Sequence, residues 1–493
     1  MAGDQTVALL KKKTKVYVHG CPGCEQDRMK RDYKGLPYKA FFFVFVATLC
    51  SSLPVQSLFP FLYFMIRDLN VAKRVEDIGF YAGFVGSAFM VGRMLTAVFW
   101  GVVADRYGRK LVIMFSIASA IVFNTLFGLS ATYWMAFVTR FLLGATNGLL
   151  APLKAFATEV CREEHQNLAL SLFTTTRGIA LVIGPAIGGF LAQPADKFPT
   201  IFSKDSIWGR FPYFLPCLCI SLISLVSFII CLWLPETLHK HGNNDEEDRT
   251  TETQCISQID PEVKENGDNP EKTYLPESEN LFKNWPLMSS IMAFCVFSLV
   301  EMAFAEIFTL FAVSDKKFGG LSMSSQDVGE VLSITGFSLM VYQLFVYPFI
   351  TRLSSPLVSA RVAAIITIPL VTTFPFMTYL SGFVLSFVVT CASVLRNVFS
   401  VTFITCLNIL QNNAVAQHQR GTANGISVTA MSFFKAIAPA VGGIVFSWAQ
   451  KRQHAAFLPG DHMVFFAINV VNLIGIFMIF KPFLALPTVK YVT

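Results

Sequence analysis

The chain has 493 residues, of which 54% are hydrophobic and only 14% are charged, and its mean hydropathy is +0.54. A soluble domain carries roughly a quarter charged residues, so this composition excludes a soluble protein and indicates a chain that crosses a membrane many times. The net charge of +7 is unevenly placed, because residues 11–39 are basic and residues 235–285 are acidic. The basic segment is expected to lie against anionic lipid, and no nucleic acid partner is expected.

Apolar runs that are long enough to cross a bilayer, which takes about 20 residues, occur in two sets of six. Residues 1–38 precede them and are predicted to form a cytoplasmic tail. The first set, within 39–234, comprises 39–66, 78–104, 111–130, 133–158, 167–193 and 212–234. The second set, within 286–486, comprises 286–313, 327–352, 357–380, 383–411, 421–450 and 462–486. Residues 235–285 are predicted to form a cytoplasmic acidic loop and residues 487–493 a cytoplasmic tail.

An internal repeat relates the two sets of spans. Segment 165–189 begins with His-Gln and ends with Pro-Ala-Ile-Gly-Gly, and segment 418–443 begins with His-Gln and ends with Pro-Ala-Val-Gly-Gly. An arginine within a span precedes each segment, Arg140 in the first half and Arg396 in the second. The sequence therefore predicts an all-α membrane protein with twelve transmembrane helices in two pseudo-symmetric six-helix bundles. Such a duplication, with a midplane site between the halves, is typical of alternating-access carriers.

Charged residues interrupt the apolar sequence in Gly101-Val-Val-Ala-Asp-Arg-Tyr-Gly-Arg-Lys110. This cluster predicts a short turn at a membrane surface, and its excess of positive charge indicates the cytoplasmic side. Gly101 and Gly108 are expected to permit close helix approach and a tight reversal. Asp105 is expected to pair with a neighbouring cation or to face a helix N-terminus. The pattern resembles the signature loop between helices 2 and 3 of the major facilitator superfamily, which implies that fold and a conformational-switch role for Gly101, Asp105, Arg106, Gly108, Arg109 and Lys110.

Several charged residues fall well inside the predicted spans, where a charge costs at least about 2.5 kcal/mol and usually faces a cavity or a partner. The cations outnumber the acids, and a cavity walled by such groups favours carboxylate or phosphate. We therefore expect an anionic or zwitterionic substrate. Arg177 and Lys435, near the middle of spans five and eleven, are expected to hold two carboxylates of one ligand. The predicted cavity residues are Arg93, Arg177, Arg396 and Lys435.

Glu301 and Glu306 are the acids of the seventh span. They are five residues apart, roughly 140° around a helix, so both cannot point squarely into one cavity. Glu301, near the middle of the span, is the first candidate for a proton site and Glu306 is the second. The alternative interpretation is that each acid is permanently paired with a cation and holds helices together.

Two further motifs resemble superfamily signatures. Gly184, Pro185, Gly188 and Gly189 in span five predict a kink and a flat face for close packing, and they resemble the motif of proton-coupled antiporters. Arg140, in Arg-Phe-Leu-Leu-Gly, resembles a second motif, whose arginine is implicated in proton coupling. Leu-Pro-Glu-Thr-Leu at 234–238 ends span six as in the drug-antiporter-like branch.

Three features together resemble the plant zinc-induced facilitator-like family: the loop preceded by Trp100, the Cys-Pro-Gly-Cys of Cys21 and Cys24, and the Pro-Glu-Thr-Leu-His that ends at His239. The resemblance implies a proton-coupled carrier of nicotianamine or mugineic-acid phytosiderophores in the vacuolar membrane, with the plasma membrane as the alternative. Potassium, auxin and xenobiotics are the alternative cargoes. The sequence after His239 lacks a long histidine run, which puts a metal-sensing role of the loop in doubt.

Cys21 and Cys24, with His19 or His239, would supply ligands for zinc or copper, but a four-ligand site needs a fuller set. A reduced thiol pair or a lipidated cysteine is the alternative interpretation. No nucleotide-binding G-x-x-x-x-G-K-[ST] motif is present, so we expect no cofactor and no ATP-driven step. The expected partners are a small-molecule substrate, protons and lipid, and the expected state is a monomer. A non-transporting receptor and an enzyme are disfavoured, because the buried charges serve no purpose in the first and no catalytic constellation is visible for the second.

Overall fold

The computed structural model describes residues 21–33, 35–238, 281–415 and 420–484. Most of the predicted N-terminal tail, the acidic loop beyond residue 238 with His239, the His-Gln pair at 418–419 and the C-terminal tail lie outside these ranges. Within the described residues the regular secondary structure is entirely helical. Eleven helices of the described part are long and apolar enough to cross a membrane, and Thr175–Leu191 is a shorter apolar helix between them. The predicted all-α, multi-span architecture is therefore confirmed.

The helices of the N-terminal half follow the predicted spans closely. They are α1 (Pro22–Asp32), α2 (Tyr38–Gln56), α3 (Leu62–Asp68), α4 (Ile78–Tyr107), α5 (Arg109–Gly128), α6 (Tyr133–Ala145), α7 (Leu150–Val160), α8 (Glu163–Leu191), the short α9 (Pro194–Lys197) and α10 (Ile207–Arg210), and α11 (Phe214–Cys231). The first predicted span is divided into α2 and α3, with Pro60 in the break, because proline cannot donate the helical hydrogen bond. The fourth span is likewise divided into α6 and α7, with Asn147 and Gly148 between them.

In the C-terminal half the first and fourth spans are each one continuous helix, and the second span is divided. The helices of this half are α12 (Trp285–Val313), α13 (Ser325–Val341), α14 (Tyr347–Leu353), α15 (Pro356–Thr372), α16 (Gly382–Asn413), α17 (Arg420–Gln450) and α18 (Asp461–Met478). Capping side chains determine where two of these helices begin. At the start of α12, Asn284 accepts a hydrogen bond from the Leu287 amide at 3.1 Å, and at the start of α13, Ser324 and Asp327 form a capping box. A π-helical segment, Tyr342–Val346, joins α13 to α14.

The two halves meet along two seams, α4 against α17 and α8 against α13. We call the side of the molecule that carries Gly108 the loop face, and the opposite side, where α4 begins and α17 ends, the far face. In the far-face portion of the first seam, a Cβ on Gly83 would collide with the Pro439 carbonyl oxygen. In the second seam, a Cβ on Gly189 would lie 2.6 Å from the Ser325 carbonyl oxygen. Because glycine has no side chain, the backbones of the two halves can touch at these positions of the seams.

Nearer the loop face the same helices have room around them. Gly178 in α8 and Gly425 in α17 have no atom of the described residues within 4 Å of a Cβ position. The halves are therefore joined at the far face and separate toward the loop face, which leaves a central gap whose walls carry the predicted charges.

Candidate transport site

The N-terminal wall of the central gap carries three cations on three neighbouring helices. Arg93 lies near the middle of α4, Arg177 near the middle of α8, and Lys154 on α7, which packs against both. Arg93 and Lys154 are half-buried and Arg177 is exposed. The three groups interact with one another electrostatically. The break between α6 and α7 is the local feature that places Lys154 beside the other two cations.

The C-terminal wall carries an ion pair. Lys435 on α17 donates a hydrogen bond to Glu301 Oε2 on α12 at 2.8 Å, and the two side chains are 18% and 32% exposed. α12 and α17 pack side by side, so residues at the middle of each face one another. Glu301 is therefore paired rather than alone, and Lys435 already holds a carboxylate. Arg177 of the opposite wall also interacts electrostatically with Glu301 across the gap.

Arg140 and Arg396 are buried at corresponding places of the two halves. Arg140 is 1% exposed; its Nη1 donates to the Pro54 carbonyl at 3.0 Å, and its guanidinium lies over Phe127. Arg396, expected to line the cavity, is only 2% exposed. Its Nη2 donates to the Val300 carbonyl at 3.4 Å, and its guanidinium lies 3.9 Å from the Phe304 ring centroid. In both cases a backbone carbonyl and a ring face take the place of an acid partner.

Glu306 lies at the seam between the halves, away from the open gap. It is 1% exposed, and its Oε2 has no hydrogen-bond partner within the described residues. A Cβ on Gly86 of α4 would lie 3.2 Å from that oxygen. Arg140 is the charged group that interacts with it electrostatically. The two acids of α12 thus occupy different environments, one facing the cavity and one enclosed between the halves.

The loop 101–110 is more helical than expected. α4 continues to Tyr107 and α5 starts at Arg109, so the turn is the single residue Gly108, with φ of 120°. Glu236 accepts hydrogen bonds from the amides of Arg109 at 3.0 Å and Lys110 at 3.1 Å. A carboxylate thus sits at the N-terminus of α5, where the helix dipole favours an anion. The sequence assigned no role to Glu236, although its Pro-Glu-Thr motif was visible.

Some charged side chains of this loop contact other residues, and others are exposed. Arg109 pairs with Asp105 at 3.2 Å and with Glu159 at 2.9 Å, and Asp105 itself is 73% exposed. Arg106 is exposed, whereas Lys110 donates to the Leu232 carbonyl at 2.7 Å. The close approach expected at Gly101 is absent from the described part of the chain, where nothing lies within 4 Å of a Cβ at this position. The reason is that this stretch of α4 borders the open loop face.

The glycines of the antiporter motif divide between two interfaces. Gly184 and Gly188 face the end of α2, where a Cβ on Gly184 would lie 2.6 Å from Gln56 Cβ. Gly189 and Pro185 face α13, where a Cβ on Gly329 would lie 2.8 Å from the Pro185 carbonyl oxygen. One face of α8 is thus fixed within its own half, and the other forms a seam between the halves.

Cys21 and Cys24 are both buried at the start of α1. Arg162 holds this helix through the carbonyls of Lys30 at 2.8 Å and Arg31 at 2.7 Å. His239 and His19, the predicted further ligands, lie outside the described residues. Among the residues that are described, no group of three or more His, Cys, Asp or Glu side chains is placed to hold a metal ion.

The chain was compared with families and with proteins of known structure. Residues 44–439 match the Major Facilitator Superfamily model. The chain is 52% identical to Protein ZINC INDUCED FACILITATOR-LIKE 1 and 51% identical to Protein ZINC INDUCED FACILITATOR 1, both from Arabidopsis thaliana. Each alignment covers 98% of this chain and 99% of the relative. A D-xylose–proton symporter of known structure superimposes with a TM-score of 0.68 at 13% identity, over 92% of this chain and 98% of that one.

Proposed function

Because the chain belongs to the Major Facilitator Superfamily and, within it, to the zinc-induced facilitator-like family, we propose that it is a proton-coupled antiporter of an anionic or zwitterionic metal chelator. Nicotianamine and the mugineic-acid phytosiderophores are the proposed cargoes, exported from the cytosol. The protein is a multi-pass membrane transporter and not an enzyme. We place it in the vacuolar membrane as a monomer, with a role in zinc and iron homeostasis.

The observation that carries the proposal is the charge of the central gap. Arg93 and Arg177 lie at mid-span on one wall, and Glu301 with Lys435 lies at mid-span on the other. Cations in a low-dielectric cavity attract carboxylates, and an acid–base pair matches a molecule that carries charges of both signs. The single carboxylate of auxin would also fit the cations, so auxin is the second candidate. Potassium would meet a positive wall, which disfavours it.

Glu301 is the proposed proton carrier. In its charged form the Glu301 carboxylate attracts a cationic group of the zwitterionic cargo. Protonation removes that charge and releases the cationic group, so the proton and the cargo occupy the carrier alternately, as antiport requires. The Lys435 ammonium, which lies 2.8 Å from that carboxylate in this conformation, is the group that the cation of the cargo would replace. Glu306 is the alternative carrier, enclosed at the seam.

The loop face is proposed to be cytoplasmic, since it carries Arg106, Arg109 and Lys110. The gap then opens to the cytosol, where the cargo would be loaded. Protease or tag accessibility in sealed vesicles should place both termini and residues 235–285 on one side. Protection of that loop together with residues 194–211 would overturn this orientation.

The transport test uses purified full-length chain in proteoliposomes with an imposed pH gradient. Labelled nicotianamine, deoxymugineic acid and auxin are offered separately, with the gradient present or collapsed by an ionophore. We expect gradient-dependent accumulation of at least one amino-carboxylate by the native chain. Glu301→Gln should lose accumulation but retain exchange of cargo between the two sides. Normal gradient-driven accumulation by Glu301→Gln would contradict the proton assignment, and Glu306→Gln would be tested next.

A further inference from the structure

The three cations of the N-terminal wall converge although like charges repel. Arg93, Lys154 and Arg177 come from three different helices, and each interacts electrostatically with another of the three. The ion pairs of buried or half-buried cations in the described residues involve Arg109 and Lys435, and neither Arg93 nor Arg177 takes part in one. Holding these two guanidinium groups near each other is unfavourable unless an anion joins them.

The cluster faces the gap and not lipid. Arg177 is exposed near the middle of α8, where a lipid-facing guanidinium would be costly. Its electrostatic interaction with Glu301, on the opposite wall, places it across the gap from that carboxyl. α7 and α8 pack together behind it, and α7 also contacts α4. The three cations thus share one patch of wall that a ligand in the gap would reach from the loop face.

The opposite wall has no comparable attraction for an anion in this conformation. Lys435 is hydrogen-bonded to Glu301, and Arg396 is buried under Phe304. A ligand with several carboxylates would therefore bind with them toward the N-terminal wall. Any ammonium group on the same ligand would lie toward Glu301. The two ends of a zwitterion are thereby distinguished by the two halves of the protein.

We propose that Arg93, Lys154 and Arg177 form an anion subsite that takes two or more carboxylates of one ligand. Arg93 and Arg177 bind through the planar fork of the guanidinium, and Lys154 acts as a point charge. This assignment differs from the expected grip by Arg177 and Lys435 across the gap. It rests on the proposed function only in that the cargo is a carboxylate.

The test measures binding of tricarballylate, a tricarboxylate without amines, to the full chain in lipid nanodiscs by calorimetry. Its neutral triamide is the control ligand. Arg93→Gln, Lys154→Gln and Arg177→Gln should each weaken tricarballylate binding about tenfold, since each removes a charge-assisted contact. Lys204→Gln is the matched control variant, because Lys204 is a solvent-exposed cation outside the spans. It should change the affinity less than twofold, and the triamide should not bind.

Two variants keep the proposal falsifiable if Arg93→Gln fails to fold. Arg177→Gln alters an exposed side chain and is expected to fold, as judged by size exclusion and thermal melting. Arg177→Lys keeps the charge but loses the fork, and it should recover part of the affinity. The proposal would be overturned if Arg177→Gln and Lys154→Gln bound tricarballylate with native affinity, or lost no more affinity than Lys204→Gln. Equal binding of the triamide and of tricarballylate would overturn it as well.

The outcomes separate the subsite from the proposed cargo. Tricarballylate binding that depends on the three cations, without transport of nicotianamine, would retain the subsite and overturn the cargo. Nicotianamine transport with native affinity and rate in all three variants would retain the cargo and overturn the subsite.

Discussion

The N-terminal and C-terminal halves bury an arginine in the same way, yet they line the central gap with different charges. Arg140 reaches from α6 to the Pro54 carbonyl of α2, and Arg396 reaches from α16 to the Val300 carbonyl of α12. In each half the fourth span is thereby tied to the first. By contrast, the gap has Arg93 and Arg177 on its N-terminal wall, and Arg177 faces the Glu301–Lys435 pair of the other wall. The repeat has kept the contacts that hold each bundle and has diverged where cargo would bind.

The two seams are alike in the two halves, whereas the loop contacts are described in one half. Each seam pairs one helix of each half through glycines, so the contacts between the halves are also symmetric. The loop-face contacts around Glu236 and Arg109 are found within the N-terminal half. We therefore expect matching mutations in symmetric features to have matching effects, and mutations in asymmetric features to differ.

The largest effects are expected from the two buried arginines. Arg140→Met and Arg396→Met each remove a buried hydrogen bond from a charged donor together with its contact to an aromatic ring, and a hydrogen bond of that kind contributes about 1.5–3 kcal/mol. Both variants should melt at lower temperature and should transport more than tenfold more slowly. Melting of the purified protein and initial uptake rates provide the measurements. If one variant were stable and active while the other was not, the two arginines would not be equivalent.

The seams should be nearly as sensitive. Gly83→Val and Gly189→Val place side chains against backbone of the other half, so far-face contact is prevented and the loop-face-open state is lost. Both should slow transport about tenfold or more. The matched control is Gly178→Val, in the same helix as Gly189 but with open space around it. Distances between spin labels on the far-face ends of α8 and α13 should increase in Gly189→Val and stay unchanged in Gly178→Val.

The loop contacts should give a smaller effect, confined to one half. Glu236→Gln removes a carboxylate from the N-terminus of α5, which typically contributes about 0.3–1 kcal/mol. We expect uptake to slow severalfold while the order of preferred substrates is kept. Asp105→Asn should have a weaker effect of the same kind, because Asp105 is largely exposed. Competition among unlabelled cargoes checks the order, and a changed order would show that the loop influences the cavity.

The spans and the repeat could be predicted from sequence because hydrophobic length and duplicated motifs are local properties. The family resemblance rested on Asp105, Gly108 and Cys21-Pro-Gly-Cys24, and the relatives at 51–52% identity confirm it. The positions of the charged residues along the spans could also be predicted from the sequence. Their partners could not, since pairing depends on how helices rotate and pack. Lys435 is separated from Glu301 by 134 residues, and only the packing of α12 on α17 brings them together.

Other contacts depend on breaks within the spanning helices, and a hydropathy pattern does not show where such breaks occur. The division of the fourth span into α6 and α7 leaves the Ala145 carbonyl free to accept from Thr96 and Trp100, both at 2.7 Å. The same break sets the position of Lys154. The sequence predicted that Arg396 lines the cavity, because it offers no obvious acid to pair with a buried arginine. In the structure the guanidinium is buried against the aromatic ring of Phe304 instead.

The smallest expected effect concerns two lysines that follow corresponding helices at the far face. Lys451, after α17, pairs with Asp77 at 2.5 Å. Lys197, after α8, donates to the Gly189 carbonyl at 2.5 Å and to Ser325 Oγ at 2.8 Å. Each cation thus bridges the two halves across one seam. Burial lowers the pKa of Lys197 from 10.5 to about 8, and Asp327 partly opposes this shift.

The sign of the resulting pH dependence follows from linkage. The closed far face favours neutral Lys197, whereas an opened far face would return the amine to water with its ordinary pKa. Raising the pH from about 8 toward 10 should therefore stabilise far-face closure, and the effect should be absent below about pH 7. A spin-label distance across the α8–α13 seam should show the closed population rise in a single pH step in the native protein. Lys197→Met should abolish that pH step and Lys451→Met should retain it, whereas an unchanged step in Lys197→Met would assign the titration to another group.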